Sequence, residues 1–585
     1  MNDILIRFSE PKAELWYELG EAQSAFESAL ESLAGDDAVR RIWARDGTLW
    51  SEAPVTVADI EDRLGWLDLP ETMRLHVARL KALAEEVRAA RLDHAVLLGM
   101  GGSSLAPEVL DETLVRLNGV DFAVLDSTDP AQILHLRQRI PLTHTLFLVS
   151  SKSGTTAETM NLYAYFRHLM AAEVGQKNWP HHFVAITDPG TPLERLAEEE
   201  GFRAVYANPA DVGGRYSALS LVGLVPGALM NIDLDRLLVR GKEMARACKR
   251  RELRENPGLV LGAILGGLAR SPEQRRNKLT LLTSKELRPF GPWVEQLIAE
   301  STGKNKTGIV PVIDEFLPDV TIYGPDRQFV YMRLRDGDNE RTDNLAAQLF
   351  EAGHPLIVIP LADRYELGAA FFLWEFATAV AGCLLGINPF DQPDVESAKR
   401  QARSALQHYE ETQSLPDVEP VLQEADLAIY GPDLRVQTAH EYLRSFFGRV
   451  RPGYYIALMA YMERSEKHGA LLAEIAAWLT QRFHVPTTIG FGPRFLHSTG
   501  QLHKGGPEEG VFVQITHEDA EDVEIPEHTY TFGVLKRAQA LGDLRALQEK
   551  ERSVMRLHLG TDVAAGLRQI FDLCVRAWSS NEQKG

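Results

Sequence analysis

The sequence predicts an α/β protein: two related parallel-sheet blocks, a helical segment ahead of them and a further α/β region behind. Three observations carry that reading. Short apolar runs alternate with helical patterns of about 10–15 residues, the signature of parallel βαβ units. The turns that follow those runs are rich in Gly, Ser and Thr. The composition is that of an ordinary folded chain, 585 residues with 45% hydrophobic and 25% charged side chains.

Residues 1–88 read as helical and amphipathic, as in Met73-Arg74-Leu75-His76-Val77-Ala78-Arg79-Leu80. The first α/β block follows over 89–250. Its strand candidates are Ala95–Gly99, Phe122–Asp126, Thr145–Ser150 and Phe183–Thr187, each leading into a helical pattern. A second block over 251–405 offers Lys278–Leu282, Phe329–Met332 and Leu356–Ile359. Residues 406–585 alternate again, with strand-like Tyr454–Leu458, a helix over Gly469–Phe483, strand-like Gly510–Ile515 and two terminal helices. Crossovers in such sheets are right-handed, and ligands bind beyond the carboxyl ends of the strands.

Charge and cysteine usage exclude several classes. The formal net charge is −20, and the basic runs Lys249-Arg250-Arg251 and Arg275-Arg276 are short and sit beside acids, which argues against nucleic acid. Cys248, Cys383 and Cys574 are few and widely spaced, so neither a disulfide framework nor a cysteine-rich zinc module is expected, and a reducing cytoplasm suits them. The first residues carry acids and Pro11 without a sustained apolar core, so no secretory leader is expected. Gly368–Ile387 is apolar enough to suggest a membrane span, but Glu375 near its centre would cost on the order of 3 kcal/mol there. A buried core helix is the expectation.

Four segments carry chemistry. Ser150-Ser151-Lys152-Ser153-Gly154-Thr155-Thr156 sits after a buried strand and opens a helix. Hydroxyls and backbone N–H groups at a helix N-terminus make an anion cradle, and a phosphate monoester is its natural guest. A single helix cap needs only one hydroxyl. The segment is not a nucleotide P-loop, because GxxxxGK[ST] fails here and at Gly303-Lys304; Gly99-Met100-Gly101-Gly102 is not GxGxxG either. In Gly213-Gly214-Arg215, the guanidinium reads equally as an oxyanion holder or a structural salt bridge. Gln296 and Glu300 share a helix face, and a partly desolvated carboxylate at a helix end suits a general base, although a lone Glu is more often solvated.

Together, Ser151–Thr156, Val212-Gly213-Gly214-Arg215-Tyr216-Ser217, Ala299-Glu300-Ser301-Thr302-Gly303-Lys304 and Asn388-Pro389-Phe390-Asp391-Gln392 with Val395-Glu396-Ser397-Ala398-Lys399 resemble the signatures of the phosphoglucose isomerase family. That family is built from two sugar-isomerase (SIS) domains, and the likeness spans about residues 90–405. The segment Phe495–Pro507 looks like the isomerase part of bifunctional transaldolase–phosphoglucose isomerase proteins. The residues ahead of the first block are too few for a (β/α)8 barrel of roughly 250 residues, so isomerase activity alone is expected.

The resemblance implies the following roles. Ser151, Lys152, Ser153, Thr155 and Thr156 hold the sugar phosphate, and Gly102 and Ser103 lie along the substrate. Glu300 moves a proton from C2 to C1 through a cis-enediol. Arg215 stabilises the developing oxyanion, Gln296 and Gln392 contact hydroxyls, and Lys399 helps open the ring. The family's ring-opening His falls at Asn344-Leu345-Ala346 in the best register, so His354 and His503 stand as substitutes. A proton shuttle needs a base and an oxyanion stabiliser, but no metal or cofactor. A cytoplasmic homodimer acting on glucose 6-phosphate and fructose 6-phosphate, without nucleic-acid or membrane partners, is the leading expectation. Thr302, where many relatives carry Asn, leaves a broader sugar range open, for example mannose 6-phosphate. A non-catalytic sugar-phosphate sensor is the alternative from another class.

Overall fold

The computed structural model describes residues 15–579, apart from 116, 117, 274, 316, 318, 417 and 418. The leader reading over residues 1–14 therefore lies outside the described residues. Two compact units emerge. The first comprises Met1–Asp126, Ile140–Glu315 and Pro325–Gln392; the second comprises Ser127–Arg139, Phe316–Gly324 and Pro393–Gly585.

The first unit holds two sheets. A short strand β1 (Trp16–Glu18) interrupts the otherwise helical opening segment. Its aromatic pair Trp16-Tyr17 lies on a sheet edge, which three residues can do without any visible alternation in sequence. The strands β2 (His94–Leu98), β3 (Asp121–Leu125), β4 (Thr145–Ser150), β5 (Phe183–Thr187) and β6 (Ala204–Ala207) form an all-parallel sheet in the order β3-β2-β4-β5-β6. The chain leaves β2 toward β3 and leaves β4 toward β5, in opposite directions. The carboxyl ends of β2 and β4 thus flank a topological switch point, where open α/β sheets bind ligands.

The second sheet contains β7 (Lys278–Thr283), β8 (Val310–Ile313), β9 (Arg327–Leu334) and β10 (Leu356–Leu361). Its order is β1-β10-β9-β7-β8, parallel except for the antiparallel β1. The helix Leu367–Leu385 is long and apolar enough to cross a bilayer, yet 94% of its apolar window is buried inside the structure. It packs on the helix Pro257–Arg270, whose Gly258, Gly262 and Gly266 recur every fourth residue. A Cβ on Gly262 would stand 2.6 Å from the Ala377 carbonyl oxygen, so the close approach of these helices requires glycine there. The core helix expected from the sequence is observed.

The second unit carries β11 (Leu422–Glu424), β12 (Leu427–Tyr430), β13 (Tyr455–Ala460), β14 (Thr487–Phe491), β15 (Gly510–His517) and β16 (Ser553–Leu559), in the order β11-β12-β16-β15-β13-β14. The four strands from β16 to β14 are parallel, and β11 and β12 add an antiparallel edge. The two terminal helices, Phe532–Glu549 and Val563–Ser579, are present with β16 between them. Cys248, Cys383 and Cys574 form no disulfide.

Candidate active site

In the first unit the hydroxyl-rich turn follows β4 at the switch point. Ser151 is buried, and its Oγ lies 2.9 Å from the Thr156 hydroxyl and accepts the Gly154 N–H at 3.1 Å. Gly154 has φ +66°, a left-handed turn that glycine adopts without strain. Ser153 and Thr155 are exposed, with their hydroxyls 3.0 Å apart. Thr156, at the N-cap of the helix Ala157–Val174, makes no side-chain cap of its own. Lys152 reaches back to Asp188 and to the Ala210 carbonyl at 2.8 Å. Burial raises the Asp188 carboxyl, and Lys152 opposes that rise. The turn thus presents two hydroxyls outward, with its lysine tethered at the side.

The loop after β2 meets the Arg215 loop backbone to backbone. A Cβ on Gly102 would stand 2.3 Å from the Gly214 carbonyl carbon and 2.8 Å from the Arg215 nitrogen. No side chain fits there. Ser103, next in the loop, is partly exposed.

Arg215 is 3% exposed and is held by four hydrogen bonds and one ion pair. Nε donates to Ser301 Oγ at 2.8 Å, and Nη1 donates to Gln392 Oε1 at 3.0 Å. Nη1 also stands 3.2 Å from Glu300 Oε1, while Nη2 donates to the carbonyls of Pro389 at 2.8 Å and Asp391 at 2.9 Å. Of the two sequence readings of Arg215, the ion pair is realised. It is formed with the carboxylate singled out as the base, so the two readings describe one arrangement. Beneath it, Tyr216 packs on Trp66 and Phe390, and burial pushes its phenol well above the ordinary value.

Glu300 lies in the last turn of the helix Phe290–Thr302, its side chain 13% exposed. Gln296, one turn earlier, donates to Glu300 Oε2 at 3.1 Å, as their shared helix face predicts. The carboxylate is thus held from both sides, by the guanidinium on one oxygen and the amide on the other. Thr302 is fully buried: its hydroxyl donates to the Ile298 carbonyl at 2.8 Å and accepts the Ile309 N–H at 2.9 Å. It closes a helix end, so the substitution that left a broader sugar range open has an internal structural role.

Lys304, quoted in the motif without a function, also belongs to this cluster. Its ammonium donates to the carbonyls of Ser301 at 2.8 Å and Asn388 at 2.5 Å and stands 3.1 Å from Asp391 Oδ1. Burial, and then the neighbouring Arg215 charge, pull it down to about 7 against the opposing pull of Asp391 and Glu300. Sequence spacing holds no signal for this, because Asn388–Gln392 is remote along the chain.

The remaining candidates sit elsewhere. His354 lies just ahead of β10, its ring edge-on to Phe329 with centroids 5.2 Å apart. Lys399 and His503 belong to the second unit. Lys399 is exposed and donates to Glu396 at 2.8 Å on its own helix, Val395–Thr412. His503 is 3% exposed between Phe495 and Phe512, and burial, aided by Lys504 and Arg552, drives it well below the usual histidine range. Gln392, by contrast, joins the Arg215 cluster with an exposed residue surface.

The fold and the site define a class: a parallel-sheet α/β protein with a hydroxyl-rich turn at a switch point and a carboxylate set against a buried guanidinium. Comparisons with known proteins narrow this class. The phosphoglucose isomerase family profile matches residues 68–325. A glucose-6-phosphate isomerase of Carboxydothermus hydrogenoformans is 30% identical over 399 residues, 59% of this chain and 85% of the relative. One from Acetivibrio thermocellus is 31% identical over 401 residues, 59% of this chain and 87% of the relative. The crystal structure of a hypothetical protein from Thermus thermophilus superposes with a TM-score of 0.56 at 28% identity, covering 66% of this chain and 99% of that one. The chain belongs to the phosphoglucose isomerase family and is an isomerase.

Proposed function

We propose that the enzyme interconverts glucose 6-phosphate and fructose 6-phosphate, with Glu300 moving the proton through a cis-enediol. The observation that carries the reading is the Glu300–Arg215 pair, 3.2 Å apart and almost enclosed. A hydrogen on the carbon beside a carbonyl is acidic only if the resulting enediolate oxygen is stabilised as it forms. A carboxylate next to a guanidinium meets both needs. Because four hydrogen bonds and the Glu300 ion pair already occupy Arg215, the substrate oxygen takes its bond by displacing Gln392 Oε1, whose side chain lies at the exposed side of the cluster. The arginine itself does not move, which lowers the reorganisation at the moment of reaction.

The phosphate is held by Ser151, Ser153, Thr155 and Thr156 at the N-terminus of the helix Ala157–Val174, and Lys152 adds charge at the rim. Gly102 and Ser103 line the sugar, and Gln296 orients the base. Ring opening is assigned to Lys399 with a histidine. His354 suits that role better than His503, whose aromatic enclosure disfavours the charged form needed to pass a proton on. The isomerase part of the transaldolase-linked proteins remains the branch we assign through the Phe495–Pro507 segment.

The test is a coupled assay of fructose 6-phosphate conversion with equilibrium binding measured in parallel. Glu300→Gln is expected to lower kcat by about 10³-fold while sugar-phosphate binding persists. Near-normal turnover in that variant would remove Glu300 as the base. Binding without turnover in the wild type would favour the sensor reading.

A further inference from the structure

We infer that Lys304 is a positioning residue for the isomerisation: with Arg215 it clamps the segment Asn388–Gln392 and so holds Gln392 and Glu300 in their working arrangement. The inference rests on the isomerase reading and extends it to a side chain that touches no substrate.

Three observations support it. The first is shared targets. Lys304 and Arg215 bind the same two stretches of chain. At Ser301, Arg215 takes the hydroxyl and Lys304 the carbonyl. On the loop, Lys304 takes the Asn388 carbonyl while Arg215 takes those of Pro389 and Asp391. Ser301 adjoins Glu300 and Asp391 adjoins Gln392, so the two cations bridge the neighbours of both site residues. The second is enclosure. The ammonium donates to two carbonyls, stands 3.1 Å from Asp391 Oδ1 as an ion pair, and its side chain is 4% exposed. Removing it leaves both carbonyls without that donor.

The third is the backbone that aims it. Lys304 and Thr307 close a tight turn by exchanging hydrogen bonds at 3.1 and 2.9 Å. The two central residues, Asn305 and Lys306, have φ of +53° and +62°. Asn305 tolerates left-handed backbone, whereas for Lys306 it costs about 1–2 kcal/mol. The turn directs Lys304 inward while Lys306 stays at the surface. On the loop side, Phe390 wedges against Trp50 and Tyr216 at centroid separations of 5.2 and 5.3 Å. The loop therefore has one aromatic anchor and two cationic ones.

The groups that face the ammonium are Arg215 from the Gly213–Ser217 loop, Glu300 from its own helix and Asp391 from the clamped segment. An amine in place of the ammonium keeps two donors and turns a lone pair toward one acceptor. The Asp391 contact is the one that weakens, so the clamp is firm below neutrality and slackens as pH rises.

The experiment compares wild type, Lys304→Met and the surface control Lys306→Gln on fructose 6-phosphate across pH. Lys304→Met is expected to lose about 10²-fold in kcat with KM within about threefold, the pattern of a misplaced catalytic group beside an intact cradle. Combining it with Gln392→Ala should cost less than the product of the single losses, since both act through one loop. Unchanged kcat, or a fully multiplicative double variant, overturns the inference. Asp391→Asn keeps the lysine and removes only its counter-charge. It should move the alkaline fall of kcat/KM to lower pH, and an unmoved profile counts against the clamp even if Lys304→Met does not fold. If the wild type shows no turnover, the isomerase reading falls, and amide exchange judges the clamp alone. Faster exchange at Phe390–Gln392 in Asp391→Asn supports it, and unchanged exchange sinks it.

Discussion

Of the buried lysines among the described residues, Lys504 of the second unit and Lys304 of the first meet their charge in opposite ways. Lys504 of the second unit donates to Asp543 at 2.6 Å, and both side chains are essentially sealed from solvent, 1% and 0% exposed. Asp543 also accepts from Gln514 at 3.3 Å, and Gln514 in turn accepts from Arg556 at 2.7 Å. Lys304 of the first unit has two carbonyls, a half-exposed aspartate and a second cation for company. An ammonium answered by a buried carboxylate is a fixed part of a core. One answered mainly by carbonyls beside an arginine sits near its titration point, and its charge becomes adjustable. Burial alone does not separate structure from function; the identity of the acceptors does.

The largest effect should come from breaking the sealed pair. Lys504→Met leaves the buried Asp543 without its counter-ion and should destabilise the protein by about 3–5 kcal/mol in urea unfolding. Adding Asp543→Leu should recover most of that loss, because a matched apolar pair avoids the desolvation that the ion pair carries. A loss from Lys504→Met below about 1 kcal/mol would erase the distinction drawn between the two lysines.

A second probe uses acid. Asp129 of the second unit accepts from Lys536 at 2.8 Å, with His517 at 3.4 Å and Asp519 bonded to the same ammonium. Asp129, His517 and Asp519 have the donor types of a metal site, and the Lys536 ammonium lies among them. Burial would raise the Asp129 carboxyl, but His517 and Lys536 outweigh it and hold it well below the usual range. Since the folded value is the lower one, the stabilisation is present above the unfolded value of about 4 and is lost as pH falls beneath it. The acid limb of wild-type unfolding should therefore include on the order of 2–3 kcal/mol from this group, and Lys536→Met should flatten that limb. An unchanged acid limb in Lys536→Met would remove the ion-pair account.

The smallest effect marks the outer bound. The Lys399–Glu396 pair is 49% and 59% exposed, so Glu396→Gln should shift stability by less than about 1 kcal/mol. A larger loss would mean that exposure is a poor guide to what a lysine does here.

Much of the architecture was legible because buried parallel strands are continuous apolar runs. β4, Thr-Leu-Phe-Leu-Val-Ser, is buried at every position, and the helix Leu367–Leu385 is apolar almost all round. The strands that escaped notice lack that texture. β8 contains Pro311 at a sheet edge, β6 is short and buries only Tyr206 fully, and β16 places Arg556 and His558 on alternate positions. At the site, residue types and motifs pointed to the cradle, Glu300 and Arg215, and the Gln296–Glu300 contact follows from helical spacing. The bonding of Arg215 and the inward course of Lys304 depend on the Asn388–Gln392 loop, which reaches them only through tertiary packing. Nor does any local pattern place the helix Pro130–Arg139 in the second unit, although the chain around it serves the first sheet.

The contact at Gly102 limits how this enzyme can be altered. Where two main chains touch with no room for a methyl group, any side chain at that position must first part the loop after β2 from the Arg215 loop, and with it the backbone that carries the guanidinium. Variant libraries should leave that glycine untouched and spread their diversity to Ser103 and Gln392, whose surfaces are at least partly exposed.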